Sequence, residues 1–115
     1  MSYTPKYTNQ SLVENLLGIS FDANSVPTNI FLNDYLIKWV EAEIDNKGYG
    51  ELDLSLLEEY ATKKVALQVL QVRSAHENYR VDLSQGSYAE LYKIWVKRVE
   101  EIEKILKEKI ATINL

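Results

Sequence analysis

Between Ser87 and Leu115 no glycine or proline interrupts the chain, and Trp95, Val99, Ile102, Leu106, Ile110 and Ile113 recur every three or four residues. That period places the six on one stripe of a long α-helix, close to the seam of a coiled coil. The opposite face is charged, with Glu101 and Lys104, and Glu103 and Lys107, spaced to pair along it. Ser87-Tyr88-Ala89-Glu90 reads as a capping box, in which the Ser and Glu side chains each satisfy a free backbone donor at the helix start.

The same signals organise the rest of the chain, which has only two prolines and four glycines to break it. Thr8 or Asn9 caps a short first helix whose Leu12, Val13, Leu16 and Leu17 share a face, and Gly18 is its left-handed stop. "ISFDANSVP" is a loop with Ile19 and Phe21 tucked inward. Pro27 disfavours helix at Val26, and Thr28 caps the next element. That second helix spans about residues 29 to 46, with Ile30, Ile37, Val40 and Ile44 as one stripe and Phe31, Tyr35 and Trp39 beside it. Gly48 ends it. A capping box at Ser55-Leu56-Leu57-Glu58 opens a third helix, which runs to about residue 78 through Leu57, Tyr60, Ala61, Leu67, Leu70 and Ser74. Residues 80–87, "RVDLSQGS", form a projecting loop between the two long helices. Within it Arg80 to Leu83 alternates polar with apolar, as a short extended segment does. The expectation is one all-α domain over residues 1–115: a small bundle of about four helices, two of them long.

Composition excludes several function classes. The net charge of −4 comes with no basic stripe of the kind that neutralises phosphates. No apolar run approaches the ~20 residues needed to span a bilayer, and "MSYTPKYTNQS" has no apolar signal core, which predicts no membrane partner and a cytosolic chain. Zero cysteines remove disulfide, zinc-thiolate and thiol-nucleophile chemistry together.

"DNKGYGELD", residues 45–53, has the look of a calcium loop between two helices. With Gly50 at the sixth position of such a loop, Asp45 falls at the first. Lys47, Tyr49 and Leu56 then occupy positions three, five and twelve, where oxygen ligands are required. The loop is therefore a turn, and no metal or other cofactor is expected. His76 is the only histidine and has no nucleophile or acid at a suitable spacing, so it reads as a polar residue at a helix end. The carboxylate pairs Glu41–Asp45 and Glu100–Glu103 lack the Glu-x-x-His partners of di-metal bundles and read as solvated helix faces. Tyr3, Tyr7, Tyr49, Tyr79 and Tyr88 fall in tails, loops or helix starts. They either cap the ends of the bundle or are contact residues, tyrosine being enriched in interfaces.

Taken in order, "YTNQSLVENLLGIS", "SVPTNIFLNDYLIKWVEAEIDNKGYG", a long helix and "YRVDLSQGSYAELYKIW" resemble the head–tail connector (adaptor, or head-completion) proteins of tailed bacteriophages. There too a short helix ending in Leu-Gly is followed by a loop and Pro-Thr. The next helix carries a signature matched here by Trp39, Val40, Ala42, Ile44 and Asp45, with spacing approximately kept. The resemblance covers nearly the whole chain. It implies a helical protein that assembles as a ring, usually twelve-fold, beneath the portal, with no enzymatic activity and no cofactor. Its partners would be the portal, neighbouring copies, and a stopper or tail-terminator protein. DNA would pass through without specific binding. The location would be the virion neck, after assembly in the host cytoplasm. The family's working segments match residues 80–87 and roughly 107–115, which selects Arg80, Val81, Asp82, Leu83, Gln85, Tyr88, Ile110, Ile113 and Leu115 as contact residues. The acidic balance suits a channel liner that must not grip passing DNA. The competing expectation is a small cellular helical binding module or regulator, dimeric through the last helix. An enzyme is the least favoured class. Both tryptophans, Trp39 and Trp95, lie on apolar stripes and are expected to be buried.

Overall fold

In the computed structural model residues 2–76 and 87–113 are described, apart from the side chain of Ser87. Helix α1 (Gln10–Leu17) begins where the Asn9 side chain accepts a hydrogen bond from the Leu12 N–H at 3.0 Å. It ends at Gly18, whose φ of 69° lets its N–H turn back onto the Glu14 carbonyl. Helix α2 is continuous but not uniform: one α turn (Asn29–Phe31), a π-helical stretch (Leu32–Ile37) and a second α segment (Lys38–Asn46). Thr28 caps it by accepting from the Phe31 N–H, after a cis Val26–Pro27 peptide bond. Helix α3 (Leu54–Ala75) and helix α4 (Ser87–Ile113) are the long ones. Among the described residues there is no strand.

Helix α3 starts two residues earlier than the expected capping box would place it. The cap is Asp53, whose carboxylate accepts from the Leu56 N–H, so Ser55 lies inside the first turn. A carboxylate interacts with the helix dipole as well as with the free N–H, which favours Asp53 over the serine.

Helix α3 is the centre of the bundle; α1, α2 and α4 all pack on it. Its Leu57, Tyr60, Ala61, Val65, Ala66, Val69 and Leu70 are almost wholly buried. They face Val13 and Leu17 from α1, Leu32, Leu36, Ile37, Val40 and Ile44 from α2, and Trp95, Val99, Ile102 and Leu106 from α4 in one apolar core. Phe21 closes the core from the loop after α1. That loop is tied down because Glu14 accepts from the Phe21 N–H and Gln10 donates to the Phe21 carbonyl. Each fully buried aliphatic side chain contributes ~1.5–3 kcal/mol of transfer free energy, so this shared core is the main source of stability.

The π stretch explains two departures from the sequence expectation. A π turn holds more residues than an α turn, so residues before and after it are rotated relative to an unbroken α-helix. Leu32 and Leu36 enter the core, Ile30 is left outside, and Trp39 turns to solvent with 54% exposure while Trp95 is only 5% exposed. Trp39 is therefore not a core residue.

Candidate interaction surfaces

The residues before α1 are held against α2 by one carboxylate. Glu41 is completely buried, not on a solvated face as its spacing to Asp45 suggested. Its Oε1 accepts from the Lys6 N–H at 2.8 Å and from the Tyr3 hydroxyl, and its Oε2 accepts from the N–H groups of Tyr7 and Thr8 at 2.6 and 2.9 Å. The segment carries no secondary structure, so its backbone donors need such an acceptor once buried. One turn along, Asp45 accepts from the Lys6 ammonium at 2.8 Å and from the Tyr7 hydroxyl. Burial, with that bond to Asp45, pushes the Tyr7 hydroxyl up to about 12, and burial together with Glu41 raises Tyr3 as well. Thr62 donates to the Glu58 carbonyl, so the Thr8 hydroxyl is the donor in its 2.7 Å bond to Thr62.

This explains the glycine of the calcium-like loop. A Cβ on Gly50 would lie 2.8 Å from the Tyr7 hydroxyl and 3.2 Å from Asp45 Oδ1. The position is kept empty for a tyrosine–aspartate pair. Lys47 of the same turn donates to Glu43 and Glu103, and Tyr49 is buried. The tail and turn tyrosines accordingly serve the fold: Tyr3, Tyr7 and Tyr88 pack half-buried against the core, and the Tyr88 hydroxyl donates to the Leu17 carbonyl. Tyr79 lies outside the described residues.

The sequence-selected contact residues separate into three groups. Arg80, Val81, Asp82, Leu83, Gln85 and Leu115 lie outside the described residues. Tyr88 is part of the packed end of α4. Ile110 and Ile113 lie where α4 outruns its support. Helix α3, with 22 residues, is about 33 Å long, and α4, with 27, about 40 Å. The two run antiparallel, with Tyr92 beside Gln71, Arg98 beside Glu59 and Glu103 beside Tyr60. In that register α3 is used up before α4 reaches Ile110. Ile110 is then half-covered by the turn at Gly48, and Ile113 is 68% exposed beside a depression of about 260 Å³ lined also by Lys47 and Leu52.

The surface the sequence reading missed is on α2. Phe31, Tyr35 and Trp39 form a ladder of rings on its outer face: Phe31 and Tyr35 stack with centroids 5.1 Å apart, and Trp39 meets Tyr35 edge-on at 5.6 Å. All three, and Ile30 beside them, are exposed. In an α-helix, residues four apart drift by about 40° per step, so a ladder of three would wind away. The wider π turn lags and cancels that drift. The signal in the sequence is the i, i+4, i+8 aromatic spacing, which at an α period falls beside the buried stripe. A second exposed apolar pair, Leu91 and Ile94, lies on the outer face of α4.

Among the described residues no group of three His, Asp or Glu side chains is placed to hold a metal ion, and no helix is long and apolar enough to cross a membrane. No protein-family model, curated protein or solved structure matches the chain.

Proposed function

We propose that this chain is a structural assembly protein, a head–tail connector that forms a ring under the portal of a tailed phage, extends the DNA channel and docks the next neck or tail component. In this reading it catalyses no reaction and needs no cofactor, and it works in the virion neck after assembly in the host cytoplasm. The observation that carries the proposal is where the apolar and polar groups are spent. Four carboxylates are engaged inside the fold: Glu41 and Asp45 with the chain start, Glu59 with Arg98, Glu103 with Lys47 and Tyr60. Large apolar side chains remain outside on α2, on the outer face of α4 and at its far end. Isolated exposed hydrophobics are ordinary, but a stacked ladder and an overhanging apolar helix end are features of surfaces that meet protein. The resemblance across nearly the whole chain supports the connector among assembly proteins, and the net charge of −4 suits a wall along which DNA slides.

The test is docking to the portal of the phage whose genome carries this sequence. Full-length protein should co-sediment with assembled portal, and a chain lacking residues 111–115 should not, while its helical circular dichroism stays the same. Equal binding by both chains removes the end of α4 as the docking surface, and binding by neither removes the connector reading. A stable symmetric dimer indifferent to portal favours instead a regulator paired through α4.

A further inference from the structure

We infer that the ring ladder of α2 is one half of a contact between copies of this chain, the other half being the outer face of α4 around Leu91 and Ile94 on the neighbouring copy. The inference rests on the connector reading and names the surfaces by which neighbours meet.

Three observations support it. First, the two faces are chemically complementary. The α2 face presents the stacked rings of Phe31, Tyr35 and Trp39. The α4 face presents Leu91 and Ile94, with the exposed Lys97 about one turn on from Ile94. Aliphatic side chains fill the apolar area of the rings, and an ammonium within about 6 Å of a ring face is held by its quadrupole. Second, the two faces stand at the same height. Arg73 donates to the Val26 carbonyl just before α2, and Gln71 donates to the Tyr92 hydroxyl in α4, so both faces flank the last turns of α3. A head-to-tail contact between different faces closes into a ring when it repeats by rotation without climbing, and gives an open filament when it climbs. Third, the backbone is specialised under the ladder: Leu32–Ile37 is the one π-helical stretch among the described residues, and π turns are frequent at functional positions.

The chain has no cysteine, so introduced thiols report this contact without background. Tyr35→Cys and Ile94→Cys replace exposed side chains and should leave circular dichroism and the urea midpoint close to wild type. Mixed at high concentration under mild oxidation, the two variants should give a disulfide-linked pair of one chain each, at least tenfold in excess of either homodimer. A disulfide demands Cα atoms within about 7 Å, so the bond reads proximity at residue scale. Tyr35→Cys mixed with Lys109→Cys is the control and should give only the background yield. A Tyr35→Cys homodimer equal to or above the mixed product would overturn the inference in favour of a symmetric α2–α2 contact. A mixed product no greater than the control would overturn it outright. Portal is absent from this experiment. Cross-linking without portal docking would keep the contact and remove the connector reading, and portal docking without cross-linking would do the reverse.

Discussion

Replacing Glu41 should cost this protein more than replacing any other charged residue, and the structure says where the cost arises. The carboxylate is fully buried and accepts four hydrogen bonds, three of them from consecutive backbone N–H groups of Lys6, Tyr7 and Thr8. Each buried donor left without a partner costs ~1–3 kcal/mol, so a simple sum for Glu41→Ala runs to roughly 4–12 kcal/mol. That sum overshoots, because the tail can let go of α2 and return its donors to water. The ceiling is the free energy of docking the tail, which also includes the packing of Tyr3 and Tyr7 and the Thr8–Thr62 bond. We expect ~3–5 kcal/mol for Glu41→Ala, the range for breaking a buried charged partnership. Glu41→Gln should lose ~2–4 kcal/mol, since its amide NH₂ has to face donors on one side. The assay is urea unfolding followed by circular dichroism, repeated on a chain lacking residues 2–8. In that shortened chain Glu41 is exposed, and Glu41→Ala should cost less than ~0.5 kcal/mol. A loss below 1 kcal/mol in the full chain, or the same loss in both, would refute the role of Glu41 as the anchor of the tail.

Trp95→Ala should cost ~3–5 kcal/mol and Trp39→Ala no more than ~1.5 kcal/mol, mostly ring stacking, and equal losses in urea unfolding would contradict the placement of Trp39 outside the core. Gly50→Ala should lose ~1–3 kcal/mol by crowding the Tyr7 hydroxyl, and the loss should shrink in a Tyr7→Phe background; additivity in that double-mutant cycle would mean the two do not meet. Glu59 is held at about 2 by the Arg98 guanidinium, with Lys63 adding to the effect. Because its value is depressed in the fold, its stabilisation is present above about pH 4.5 and is lost as pH falls toward 2; the urea midpoint of Glu59→Gln should change less than wild type across that window, and an identical pH profile would rule the pair out as a source of acid sensitivity.

The bundle was legible because its signals are local. Asn9 and Gly18 bracket α1, Thr28 opens α2, and the three-and-four spacing from Trp95 to Leu106 marks the buried side of α4. What escaped the sequence depends on long-range partners or on a change of helical period. Glu41 and Asp45 sit four apart like any solvated pair, and nothing near them announces that the chain start will fold over both. Counting at an α period put Ile30 on the core stripe and Trp39 at its edge, whereas the π stretch rotates both outward. Ser55 and Glu58 match a capping box, but Asp53 is the better acceptor for the helix start and displaces them. For the interaction surfaces, Ile113 entered through the resemblance, while the ladder's residues were named and its exposure was not.

Negative-stain imaging of this protein mixed with portal, beside each alone, decides whether it forms the proposed ring. Without portal a monomer or weak oligomer is expected, since a side-by-side contact between copies is favoured by a template. With portal, the expected result is a closed ring of this chain seated coaxially on the portal. A dimer of fixed two-fold symmetry that is the same with and without portal would contradict it.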